Sequence, residues 1–261
     1  MYYDVHTHAF HPKISDKVLA QLTNHYGIKP VGTGLVEDLL SRADKAGLDK
    51  VIIHTAATEP AQVIPANNWS IDLQNSDPRV IAFGTMHPDY EDPEKEFARL
   101  EKNGIKGLKF HPDFQGFFMD EPRFYKILEM VQGRFITMFH VGDKLPPEKN
   151  PSCPIKLKNI LLNFPKLTAI AAHMGGYRHW KWSADYLAGS NVYMDTSSAL
   201  PFMDDKLLHE IMKKHPREKI LFGSDYPLFD PGESIKELQY KLKLTDTELE
   251  FHLSAADNML N

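Results

Sequence analysis

Eight short runs of β-branched and apolar residues recur along the chain, with helix-like stretches between them. That alternation limits the possible folds more than any other feature. The runs are YYDVHTH (2–8), KVIIHTA (50–56), RVIAFGTMHP (79–88), IKGLKFHP (105–112), FITMFHVG (135–142), LTAIAAHMG (167–175), NVYMDTSS (191–198) and KILFGSDYP (219–227). The helix-like segments include VEDLLSRADKAGLD, DPEKEFARLEKNG, EPRFYKILEMVQG, IKLKNILLNFP, MDDKLLHEIMKKHP and PGESIKELQYKLK, and LTDTELEFHLSAADNMLN closes the chain. Asp92 and Pro93 form a capped start, and Gly104 a stop. Eight such units in 261 residues predict an α/β fold with parallel strands, a single (β/α)8 TIM barrel over 1–261. A doubly wound sheet is the alternative. It would more often carry a glycine-rich phosphate loop after its first strand, where this chain has HTHAFHP.

The polar residues fall where the apolar runs end. His6 and His8 close the first run, His54 the second, His87 the third, and Lys109 with His111 the fourth. His140 closes the fifth, His173 the sixth, Asp195 the seventh and Asp225 the eighth. In a barrel the C-terminal strand ends meet on one face, where active sites form. Side chains two apart on a strand point the same way, so His6 and His8 share a face, as do Lys109 and His111. Neutral imidazoles suit zinc and similar divalent ions, and aspartate adds charge and an oxygen ligand. Each piece also has an ordinary reading. A lone H-x-H has no specificity, and His54 and His87 fit hydrogen bonds to loops at the mouth. Asp195 fits a cap of the next turn or a support behind the site. His11, His25, His179, His209, His215 and His252 fall in helices or loops, as surface or packing residues. The joint pattern carries more weight than any one residue.

Read together, DVHTH, GLKFHP, FHVGD, AHMGG and LFGSDYP resemble the amidohydrolase superfamily, and within it the amidohydrolase-2 group of metal-dependent decarboxylases and hydrolases. The resemblance implies a divalent metal, zinc first, held by His6, His8, His140 and Asp225. It implies a proton-transfer role for Asp225, and for His173 the role of base, electrophile or ligand of a second ion. One ion is the expectation. Two would call for a carboxylated Lys109, with His140 and His173 on the second ion. With one ion, Lys109 stays cationic and holds a substrate carboxylate or polarises a carbonyl, His111 contacts the substrate, and Arg178 grips a carboxylate or faces solvent. Many relatives add a β-sandwich. Here the first strand begins at about residue 2, and the barrel is expected to stand alone.

The leading expectation is therefore hydrolysis of a small amide, lactone or ester by metal-activated water. The alternative is non-oxidative decarboxylation of an unsaturated or aromatic acid. A barrel that binds without catalysis is a third reading, and the complete set of ligand positions argues against it. A formal net charge of −5 disfavours nucleic acid as a partner. There is no signal-like start and no apolar run of about 20 residues, so no membrane association is expected. Cys153 stands alone and forms no intrachain disulfide. A cytoplasmic protein with a small-molecule substrate follows as an expectation, with a homodimer as the assembly the resemblance suggests.

Overall fold

A computed structural model describes residues 1–260. Eight parallel strands run in sequence order: β1 (Tyr3–Thr7), β2 (Lys50–His54), β3 (Val80–Thr85), β4 (Gly107–Phe110), β5 (Ile136–Phe139), β6 (Thr168–Ala171), β7 (Tyr193–Asp195) and β8 (Ile220–Leu221). The ring closes between β8 and β1. Val5 N donates to Phe222 O at 2.9 Å, Asp225 N to His6 O at 2.8 Å and His8 N to Tyr226 O at 2.8 Å. The expected (β/α)8 barrel is therefore the fold. Among the described residues no helix is long and apolar enough to cross a membrane.

The helices that carry the outer ring are α1 (Ser15–Tyr26), α2 (Val36–Lys45), α3 (Val63–Ser76), α4 (Pro93–Lys102), α5 (Pro122–Val131), α6 (Pro154–Asn163), α7 (Asp205–Lys214) and α8 (Pro231–Leu242). Short helical turns over 180–187 link β6 to β7. Two closing helices, α9 (Asp246–Ser254) and α10 (Asp257–Leu260), cross the N-terminal end of the barrel. Inside the ring, Val5, Ile52, Phe83, Met138, Ile170 and Leu221 pack with Ala255, Ala256 and Met259 of this closing segment. Gly107 makes room for that core, because a Cβ there would lie 2.4 Å from the Phe83 ring.

Two helices escape the apolar pattern of the sequence, each for a physical reason. The inner face of α3 is mixed: Asn67 and Ser70 are fully buried beside Val63 and Leu73. Asn67 bonds to Thr85 and Glu96, and Ser70 to the Phe83 carbonyl. Only Ser15 of α1 is buried, so no apolar stripe is required there. The strands are also shorter than the apolar runs, mostly at the C-terminal ends. Beyond the last ladder bond the chain turns aside, with His173 at φ 60° and Asp225 at φ 66°. Positive φ is uncommon outside glycine, and such positions gather at functional sites.

Candidate active site

The strand ends meet at the mouth, and hydrogen bonds to carbonyls settle which nitrogen of each ring carries the proton. A carbonyl only accepts. His8 Nδ1 lies 3.0 Å from His54 O, so Nδ1 holds the hydrogen and Nε2 of the neutral ring offers a lone pair. His6 Nδ1 lies 3.1 Å from Asp195 Oδ2, which frees His6 Nε2 in the same way. Both lone pairs face Asp225 Oδ1, at 3.6 Å from His6 Nε2 and 3.4 Å from His8 Nε2.

Three acceptors thus face one another, and the nearest cation is the Lys109 ammonium, 3.2 Å from His6 Nε2. Such a set is repulsive unless a cation sits at its centre. A tetrahedral ion with bonds of about 2.1 Å spaces its ligands about 3.4 Å apart, close to what is observed. The donor set therefore fits a divalent ion.

A second chain of bonds reaches His140. His173 Nδ1 donates to Ser197 O at 3.0 Å, leaving Nε2 to accept from His140 Nδ1, also at 3.0 Å. His140 Nε2 is then an unprotonated, buried nitrogen without a partner. His140 groups with His111 and Asp113 rather than with the first trio. That cluster is a poor ion site. The His111 and His140 rings stack at 3.8 Å and 11°, so an ion in the plane of one lies far outside the plane of the other. A third cluster, His6, His173 and Asp195, is already satisfied by hydrogens from both Nδ1 atoms and from the Ser197 hydroxyl.

The remaining expected residues take distinct places. Lys109 is 1% exposed, and its Nζ sits 3.2 Å from His6 Nε2. Burial lowers its pKa to about 8, while Asp195 and Asp225 pull it upward. His111 is sandwiched between His140 and Phe114, the latter at 4.0 Å and 2°. Its Nδ1 accepts from Phe114 N and its Nε2 meets Tyr26 Oη at 3.3 Å, so both faces and both nitrogens are engaged. Arg178 is exposed, with its guanidinium 5.5 Å from the Tyr177 ring centroid and no carboxylate partner among the described residues. His54 bonds to the carbonyl of Val5 in β1, and His87 to that of Gln115 in the turn after β4.

Electrostatics follow from this burial. Burial opposes charge on Asp225, yet His6, the contact with His8, and His173 hold its carboxyl well below the usual range. Burial likewise opposes charge on Asp195, and His6, His173 and Ser197 bring it down to about 2. Burial, then the Lys109 ammonium, lowers His6 to about 4 and keeps the ring neutral.

Ser197 and Tyr26 are the site residues that sequence reasoning leaves aside, and Asp195 is read there only as a cap or a support. The DTS at the end of the seventh run is a signal for Asp195 and Ser197. Nothing local marks Tyr26, which reaches the mouth from the C-terminal turn of α1.

Comparison with known proteins adds the following. The family model described as amidohydrolase matches residues 3–257. No curated protein matches. The 2,6-dihydroxybenzoate decarboxylase from Rhizobium superposes with a TM-score of 0.74 at 15% identity, over 99% of this chain and 98% of that one. The 5-carboxyvanillate decarboxylase from Novosphingobium aromaticivorans, complexed with manganese and 4-hydroxy-3-methoxy-5-nitrobenzoic acid, gives 0.74 at 16%, over 100% and 96%. A probable 2-pyrone-4,6-dicarboxylic acid hydrolase from Acinetobacter baumannii, with citric acid bound, gives 0.69 at 14%, over 99% and 98%. At such identities the likeness speaks for the fold alone.

Proposed function

The chain belongs to the amidohydrolase family, and from that premise we propose a metal-dependent enzyme that removes CO2 from a small unsaturated or aromatic carboxylic acid. The carrying observation is the convergence of His6 Nε2, His8 Nε2 and Asp225 Oδ1 beside the buried Lys109 ammonium. His6, His8 and Asp225 would hold one divalent ion, with His140 outside that trio. The imidazole–carboxylate set favours zinc, and manganese is the ion in the carboxyvanillate decarboxylase. Such an ion supplies a Lewis acid that binds and polarises an oxygen of the substrate.

The chain's own groups do the rest. Of the trio, His8 and Asp225 keep 23% and 8% of their side-chain surface open, whereas His6 keeps 1%. Substrate therefore arrives on the His8 side. Lys109 Nζ is the buried ammonium beside the trio. The bond to the carboxylate breaks, its electron pair stays on carbon, CO2 leaves, and Lys109 Nζ–H supplies the proton. Solvent on the His8 side restores that proton. The solved decarboxylases of like fold support this order of preference over hydrolysis.

Hydrolysis of a lactone, amide or ester is the second reading. The ionised Asp225 favours it, since that carboxylate can take a proton from water. One experiment separates the two. Protein loaded with zinc or manganese is assayed for CO2 release from hydroxybenzoates and unsaturated dicarboxylates, and beside them for opening of lactones and amides. CO2 release lost on chelation supports the proposal. Turnover confined to lactones or amides replaces it with the second reading. No metal bound and no turnover with either ion sinks both.

A further inference from the structure

We infer that Asp195 is a positioning residue that fixes the tautomer of His6, and so decides whether His6 can hold a metal ion at all. This rests on the metal reading above but concerns a residue outside the proposed ligand set. Asp195 sits at the end of β7 and is 0% exposed. Its two oxygens have separate tasks. Oδ1 accepts from His173 N at 3.3 Å, from Ser197 N at 3.0 Å and from the Ser197 hydroxyl. Those three donors anchor the carboxylate. Oδ2 is left to accept from His6 Nδ1.

The consequence is chemical. With the hydrogen held on Nδ1, His6 Nε2 offers its lone pair toward Asp225. With the hydrogen on Nε2, the ring would present a proton where the ion belongs. A partner that fixes the tautomer of a ligating imidazole changes metal affinity typically 10- to 100-fold. Gly223 on the neighbouring chain segment serves the same contact. A Cβ there would come 2.8 Å from His6 Cβ and 3.4 Å from Asp195 Oδ1, so only glycine lets ring and carboxylate meet without a shift.

The isosteric change Asp195→Asn gives the test. The anchoring donors keep the amide oxygen at the Oδ1 place and turn its NH2 toward His6 Nδ1. That NH2 can only donate, so Nδ1 loses its acceptor; combined with Lys109→Met, which removes the ammonium 3.2 Å from His6 Nε2, the change lets the proton on His6 move to Nε2. Long-range 1H–15N spectra of the metal-free proteins read the tautomer directly. The expected result is Nδ1–H in the wild type and in Lys109→Met, and Nε2–H once Asp195→Asn is added to Lys109→Met. Chelator competition should then show zinc and manganese affinity reduced about 10- to 100-fold relative to Lys109→Met, with the melting temperature of the metal-free variant nearly unchanged. Ser197→Ala, whose hydroxyl lies 2.9 Å from His6 Nδ1, should keep both tautomer and affinity, since Asp195 still accepts.

An Nε2–H signal for His6 in the wild type overturns the inference, and this needs no variant to fold. So does a protein with both Asp195→Asn and Lys109→Met that binds metal as tightly as Lys109→Met alone, or a tautomer that follows Ser197 instead. The metal reading fails separately, if the wild type binds neither ion while its His6 still shows Nδ1–H.

Discussion

The two ends of this barrel share eight strands and have opposite chemistry. At the N-terminal end, α9 and α10 close the ring with apolar contacts, and the polar groups there are paired. Tyr3 Oη donates to Asp257 Oδ1 at 2.6 Å, and His252 Nδ1 to Ile220 O at 3.1 Å. At the mouth, lone pairs of His6, His8 and Asp225 face one another, His140 Nε2 has no partner, and His173, Met174, Arg178, Ser198 and Asp225 all adopt positive φ. A buried acceptor left unpaired costs about 1–3 kcal/mol, so the mouth is built at the expense of stability. The closed end supplies what the mouth gives up.

Substitutions should separate the two ends. The largest effect is expected at the trio. Asp225→Asn or His6→Ala should lower metal content and turnover more than about a hundredfold, beyond the range typical of outer partners. Metal analysis with steady-state kinetics checks this, and the metal-free melting temperature of Asp225→Asn should hold. Ile136→Ala, at the closed end, should do the reverse. It should cost about 2–5 kcal/mol in denaturant unfolding and leave metal affinity untouched. If both substitutions struck stability and metal binding alike, the division between the ends would collapse.

A smaller effect tests the rim. Burial raises the Asp113 carboxyl to about 6, against hydrogen bonds from Ser152 and Asn150. Between about pH 4 and 6 the native state keeps a proton that the unfolded chain has released. This contribution to stability is present at low pH and is lost as pH rises through 6. Asp113→Asn should remove that slope and gain on the order of 1–2 kcal/mol at pH 7 relative to pH 4, read from unfolding at several pH values. Smallest of all, Tyr26→Phe removes one hydrogen bond to His111. It should change stability by about 1 kcal/mol or less, with any kinetic effect in KM rather than kcat.

Much of this was legible in the chain. The eight apolar runs foretold the barrel because parallel strands, buried on both faces, need continuous apolar sequence. The H-x-H pair, Lys109, His173 and Asp225 were legible as mouth residues because they end those runs. Helices α1 and α3 were not, since one buries almost nothing and the other buries Asn67 and Ser70. Asp195 read equally well as a cap or a support, and it proves to be both: one oxygen holds Ser197 N, the other His6.

The sequence by itself determined the order of elements, the family and which side chains gather at one end, because periodicity and strand ends are local properties. Only the tertiary structure decided which atoms face which. His111 has the spacing of a pocket residue but is locked between Phe114 and His140. Arg178 stays at the surface, and His140 turns toward His173. His6 and His8 become partners of Asp225 because β8 closes on β1, a contact between residues about 220 positions apart, which loop closure and hydrogen bonding establish and no local pattern encodes.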